Sequence, residues 1–262
     1  MELGLKDKCA LVMASSAGLG KGIATEFARE KANVMLFSPF EDELKQAQQE
    51  ILEETGKKPS YFVGSITEAE DIKKLVETTV REYGPIFALV NNTGGPPAGT
   101  FDKFGDEDWQ KAFELTLLSY VRTIREVLPG MRANGGGRIV NSTSSSVKAV
   151  LDNLILSNTF RLGVVGLAKT LSQELGKDNI LVNCIGPGRI GTARIEYLDK
   201  MRAEKAGISV EELQERAFKN IPLGRYGKTD EYGRLAVFLC SAANTFITGQ
   251  TILLDGGMVK AI

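Results

Sequence analysis

The sequence predicts a doubly wound α/β domain, one parallel sheet with helices on both faces. Three observations carry this expectation. Short apolar runs alternate with amphipathic helical segments along nearly the whole chain. Those runs are bounded by Gly, Pro, Asn or Asp and are apolar on both faces, as strands covered on both sides should be. Small and polar residues collect just after the runs, where an open parallel sheet keeps its ligand crevice.

The first strand, 9–13, passes through Ala14, Ser15, Ser16, Ala17 and Gly18 into a helix with Leu19, Ile23, Ala24 and Phe27 on its apolar face. Small side chains, Gly20 included, let a ligand approach the main chain. The unpaired N–H groups of the helix N-terminus then face negative charge. A Walker-type loop needs Ser or Thr after its Lys, but Gly22 follows Lys21, which leaves a dinucleotide-type cradle. The second strand, 33–37, meets Ser38-Pro39-Phe40-Glu41, which predicts an N-cap, a first-turn Pro and a capping-box Glu. A third strand, 61–63, leads through Ser65 and Ile66 to a second capping box at Thr67-Glu68-Ala69-Glu70, with Gly84-Pro85 ending that helix.

A fourth strand, 87–90, enters Asn91-Asn92-Thr93-Gly94-Gly95-Pro96-Pro97, where Gly permits close approach and the prolines stiffen the exit. Next come a long helix at 107–132, a fifth strand at 138–141 ending in Ser142–Ser146, and a helix at 153–175. The sixth strand, 181–185, runs into Gly186-Pro187-Gly188. The charged segment 189–222 reads as a mobile lid. A helix at 229–241 and a strand at 251–254 complete the pattern. No linker or repeat divides residues 1–262, so one domain is expected.

Of 262 residues, 43% are hydrophobic and 25% charged, with a formal net charge of −1. Near-neutrality offers no electrostatic reason for nucleic acid or an anionic membrane as partner. No apolar run approaches a membrane span, and the start does not read as a signal peptide. Cys9, Cys184 and Cys240 sit far apart in apolar segments. They read as buried thiols in a reducing, cytoplasmic setting. The chain has no histidine, which excludes His-based triads and His metal sites; no metal is expected.

Five landmarks in order resemble the short-chain dehydrogenase/reductase family over essentially the full length. They are Ala14-Ser15-Ser16-Ala17-Gly18-Leu19-Gly20; Asn91-Asn92-Thr93-Gly94; Asn141-Ser142-Thr143-Ser144; Val182-Asn183-Cys184-Ile185-Gly186-Pro187-Gly188 with Thr192; and Phe246-Ile247-Thr248-Gly249-Gln250 with Asp255-Gly256-Gly257. The chain looks most like the 3-oxoacyl-carrier-protein-reductase-like branch. The resemblance implies a Rossmann-type doubly wound sheet, hydride exchange between NAD or NADP and a small carbonyl or alcohol substrate, and a homo-oligomer, a tetramer or dimer paired through the two long helices. It implies cofactor contacts from Ala14, Ser15, Ser16, Gly18, Leu19, Gly20, Ser38, Ser65, Ile66, Asn92, Thr93, Gly94, Arg161, Pro187, Gly188, Ile190 and Thr192. Thr192 serves equally as a helix cap.

The family's Asn-Ser-Tyr-Lys tetrad falls on Thr116, Ser144, Ser157 and Arg161, so only the serine matches. A phenol starts near pKa ~10 and can be tuned toward neutrality, whereas a serine hydroxyl is a far weaker acid. Arginine, with a pKa above ~12, cannot relay protons, although its forked donors suit two ribose hydroxyls. Three readings follow. Ser144 and Ser157 polarise the carbonyl while water supplies the proton; or Lys148 or Tyr120 substitutes, although Lys148 reads more simply as a solvated loop residue and Tyr120 as subunit packing; or the protein binds dinucleotide without turnover, as a sensor or scaffold. Cofactor choice leans to NADP, only because Ser38 stands where NAD-specific members carry Asp. Glu41 and Asp42 lie near the spacing of an acidic ribose ligand, but read more simply as first-turn helix charges.

Overall fold

The computed structural model describes residues 2–261. Seven strands form one parallel sheet: β1 (Cys9–Val12), β2 (Asn33–Ser38), β3 (Ser60–Val63), β4 (Ile86–Asn91), β5 (Gly137–Ser142), β6 (Ile180–Pro187) and β7 (Thr251–Leu254). Their order across the sheet is β3-β2-β1-β4-β5-β6-β7. All seven predicted strands are present, within a few residues of their expected ends.

Alternation along β1 shows why both faces are apolar. Ala10 and Val12 pack into one core with Ile23 and Phe27 of α1 (Gly18–Arg29), Leu44 and Ile51 of α2 (Glu41–Thr55) and a residue pair further on, Tyr232 and Ala236. Cys9, Leu11 and Met13 enter the opposite core with Leu75 of α3 (Ala69–Tyr83) and, later in the chain, Ile124, Val127 and Val164. Full burial of such a side chain stabilises by about 1.5–3 kcal/mol, so neither helical layer is dispensable.

Three helical expectations change. Ser38 is not the cap of α2: it pairs with Val63 as the last residue of β2, and its hydroxyl accepts the Phe40 N–H at 3.3 Å. The helix starts at Glu41 without a side-chain cap, and Glu41, Asp42 and Glu43 supply first-turn negative charge instead. Thr67 does not cap α3 either; its hydroxyl is bonded to Ser65 Oγ, while Asp71 accepts the Ser65 N–H at 2.9 Å. The long helix at 107–132 divides into α4 (Asp106–Phe113), a π-helical turn (Glu114–Leu118) and α5 (Ser119–Ala133).

After β5 comes α6 (Ile155–Glu174). The lid segment holds two helices, α7 (Ala193–Ala206) and α8 (Val210–Phe218), capped by Thr192 and Ser209. Fully buried Asp199 of α7 accepts the Tyr226 hydroxyl at 2.8 Å and lies 3.4 Å from Arg189. A buried carboxylate between two donors anchors α7 to the end of β6. The last helix, α9 (Thr229–Leu239), carries Tyr232 and Ala236 against α1. No described helix is long and apolar enough to cross a membrane, and no metal-ligating cluster occurs among the described residues.

Candidate active site

The chain order reverses at β1, with β2 on one side and β4 on the other, and this switch point opens the crevice beyond the strand ends. Ala14 leaves β1 at φ 46°, in the left-handed region, and Gly18 begins α1 at φ 55°. A Cβ at Gly20 would lie 2.1 Å from the Ala14 carbonyl oxygen, so only glycine lets the helix start this close to the turn. Ser15 is fully buried. Its hydroxyl donates to Val12 O at 2.8 Å and accepts the Phe37 N–H at 2.9 Å, fastening the turn to β1 and β2. Asn92 Nδ2 donates to Ala14 O at 3.2 Å from the β4 side. The result is a pinned turn under the N-terminal amides of α1, suited to a bound pyrophosphate.

Two cavities meet over this turn, sharing Ala14, Ala17, Thr93 and Gly94. The one toward β2, about 390 Å³, is lined by Ser16, Ser38, Phe40, Glu43, Ser65 and Ile66, among others. The one toward β5 and β6, about 430 Å³, takes Gly18, Leu19, Asn92, Thr143, Arg161, Pro187, Gly188, Ile190 and Thr192. Most of the sequence-predicted cofactor residues therefore line one continuous cleft; Ser15 and Gly20 lie beneath it and shape it. Mostly apolar and floored by close-approach backbone, the two adjoining cavities suit a dinucleotide. A larger cavity of about 580 Å³ lies beyond the lid, among Arg189, Arg225, Glu231 and Asp255, and shares only Ile190 with the cradle side.

At the inner end, buried Arg161 donates from Nη1 to Ser142 O at 3.0 Å, leaving its other donors toward the cleft. Tyr120 donates its hydroxyl to the same carbonyl at 2.9 Å. Tyr120 is completely buried, and burial pushes its phenol up to about 12, against the opposing pull of Arg161. It is an internal brace beneath Arg161, which corrects its assignment to subunit packing. Behind it, Ser142 Oγ is bonded to Tyr232 Oη at 2.8 Å, and burial likewise raises the Tyr232 phenol. Neither phenol reaches the cleft as a ready acid.

Ser157 is buried one turn before Arg161 on α6, and half-buried Ser144 follows β5, its Oγ accepting the Ser146 N–H at 3.1 Å; neither is among the residues lining the two cavities, although each adjoins one that is. Thr116 lies in the π-helical turn, fully buried, its hydroxyl spent on Ala112 O. It does not line the cleft. Lys148 is exposed on the loop. Thr192 caps α7 by accepting the Ile195 N–H at 3.3 Å, while its methyl faces Gly18.

Two charged cleft residues escaped the sequence reading. Arg194, in the first turn of α7, lines the inner cavity, its guanidinium 3.4 Å from where a Cβ on Gly95 would sit. Glu43 lines the outer cavity and accepts the Ser16 hydroxyl at 2.8 Å. Each belongs to a charged helical turn that looks like ordinary surface until the fold brings it over the cleft.

Sheet order, switch-point crevice and amide cradle together define a doubly wound α/β protein of the dinucleotide-binding kind. A family model described as enoyl-(acyl carrier protein) reductase matches residues 13–259. The 3-oxoacyl-(acyl-carrier-protein) reductase FabG of Thermotoga maritima is 33% identical over 257 residues, 97% of this chain and 99% of that protein. NADPH-dependent reductase BacG of Bacillus subtilis is 29% identical over 98% of this chain and 100% of its own length. The crystal structure of L-sorbose reductase from Gluconobacter frateurii, complexed with NADPH and L-sorbose, superposes with a TM-score of 0.95 at 32% identity, covering 100% of both chains. The chain belongs to the short-chain dehydrogenase/reductase family and resembles its 3-oxoacyl-carrier-protein-reductase-like members.

Proposed function

We propose that the protein is an oxidoreductase that binds NAD or NADP in this cleft and acts on a carbonyl or alcohol group of a small molecule. The observation that carries the proposal is the Gly20 contact, a close backbone approach beneath two adjoining cavities at the switch point of the sheet. A bound nicotinamide supplies or takes up the hydride.

The chain's own residues do the rest. Amides at the start of α1 hold the pyrophosphate, and Arg194 adds a cation across the cleft. Arg161, fixed on Ser142 O, offers its remaining donors to the ribose hydroxyls. Ser144 and Ser157 donate hydrogen bonds to the substrate oxygen as negative charge grows there. Neither they nor Arg161 can relay a proton near neutrality, so the proton is exchanged with an ordered water. Thr116 acts only by holding the π-helical turn.

The assembly consistent with this reading is a homodimer or homotetramer. α5 and α6 leave an apolar groove between Val121, Leu128, Leu167 and Leu171. A cytoplasmic location is consistent with three free, buried cysteines. Calorimetric titration with each dinucleotide, followed by turnover on a panel of carbonyls and alcohols, tests the function. Binding with turnover reduced about 100-fold in Ser144→Ala is the expected result. Binding without turnover favours the sensor or scaffold alternative, and absence of binding overturns the proposal.

A further inference from the structure

The outer cavity contains one charged side chain among those lining it, and that side chain is Glu43. Its carboxylate accepts the Ser16 hydroxyl at 2.8 Å, a bond that bridges the first turn of α2 to the cradle between β1 and α1. The cations nearest in sequence are already paired: Lys45 with Glu41 at 2.9 Å, and Lys21 with Glu50. Among the described residues, no lysine or arginine lines this cavity. The remaining polar groups, on Ser16, Ser38, Ser65 and Thr67, are neutral hydroxyls, and those of Ser65 and Thr67 bond each other.

We infer that Glu43 determines cofactor choice and makes the protein prefer NAD over NADP, an inference that rests on the dinucleotide reading above. The nucleotides differ at one place, the adenosine ribose, where NAD has a 2′-hydroxyl and NADP a 2′-phosphate. A ribose diol carries donors, and a carboxylate is an acceptor-only group, so the two form charge-assisted hydrogen bonds. A phosphate is itself an acceptor with about two negative charges at neutral pH. Against Glu43 it gains no hydrogen bond, and no cation offsets the repulsion. Relatives whose structures contain NADPH show that the family accommodates the phosphate; here the cavity offers hydroxyls but no cation to offset its charge. The sequence leans to NADP because Ser38 is not acidic; the fold supplies the acid from α2 instead.

Glu43 is solvent-exposed, so the repulsive part of the discrimination is open to ionic screening, with a Debye length of about 10 Å at 0.1 M salt. Calorimetry of the protein with NAD⁺ and with NADP⁺, at low and at high salt, reads the effect without any substrate. NAD⁺ is expected to bind at least tenfold tighter at low salt, with the ratio narrowing at high salt. In Glu43→Gln, NADP⁺ is expected to tighten until the ratio falls within about threefold, with the melting temperature unchanged. NADP⁺ binding as tightly as NAD⁺ in the wild type, or an unchanged ratio in Glu43→Gln, overturns the inference alone. If neither nucleotide binds the wild type, the inference falls together with the dinucleotide reading.

Discussion

Replacing Gly20 with alanine strikes the cradle with one methyl group. The added Cβ would sit 2.1 Å from Ala14 O and 2.8 Å from both Ala14 C and Ser15 Cα. Carbon–oxygen contacts settle at about 3.3 Å or more, so the turn has to retreat by about 1 Å. It cannot retreat freely, because Ser15 is bonded to Val12 and Phe37, and Ala14 O accepts Asn92 Nδ2. Overpacking of a tight site costs about 1–3 kcal/mol, and loss of the Asn92 bond adds about 1 kcal/mol. A destabilisation of about 2–4 kcal/mol corresponds to a melting temperature lowered by about 4–16 °C for a domain of this size. Because the displaced backbone is the one proposed to meet pyrophosphate, dinucleotide affinity should also fall at least tenfold. Thermal unfolding by circular dichroism and a fluorescence titration with NADH measure the two effects. A Gly20→Ala protein that melts within a degree of wild type and binds NADH normally would refute the reasoning.

Other perturbations have equally definite outcomes. Asp199→Asn, which strips the buried charge between Arg189 and Tyr226, should loosen α7, seen as faster hydrogen exchange across 193–206 with β1 and β4 unaffected. The Arg225 hydrogen bond, with help from the Lys228 N–H, holds the Glu231 carboxyl down to about 2 from 4.5. Its depressed value gives stability that is present above about pH 4.5 and lost as pH falls toward 2; Glu231→Gln should flatten acid unfolding in that window, more clearly at low salt. Leu128→Asp with Leu171→Asp should lower the mass seen by light scattering; an unchanged mass would place the assembly surface elsewhere. Burial pushes the Cys9 and Cys184 thiols up to about 12 and raises Cys240 as well. None of the three should react with a thiol reagent at pH 8 until the protein is unfolded.

Much of the fold could be read along the chain because β1 to β7 are punctuated by turn residues and apolar on both faces, signals that survive without tertiary context. Helix starts were less legible. Ser38 has the chemistry of an N-cap, but pairing with Val63 extends β2 through it, and pairing is a property of two strands. The π-helical turn at Glu114–Leu118 packs beside α6, a contact that the spacing of its own residues does not announce. In the site, the Gly-rich and Asn-rich turns were visible because close backbone approach limits which residues serve there. Arg194 and Glu43 were not, since a charged residue in a helix first turn serves solvent equally well. Tyr120 shows the same limit in reverse: its spacing places it on a helix face, and only the fold reveals that this face meets Ser142 O and Arg161.

The proposed assignment of Ser157 and Arg161 to the positions of phenol and amine also has a consequence for pH behaviour. Turnover should be level between pH 6 and 9, because the chain has no histidine and Tyr120 sits near 12. A crystal structure grown with excess NADH tests the account's core most directly. It should place the pyrophosphate on the amides between Gly18 and Gly20 and the nicotinamide ribose beside Arg161. Dinucleotide found instead in the cavity among Arg189, Arg225 and Asp255, with the cradle filled by the Arg194 side chain, would contradict it.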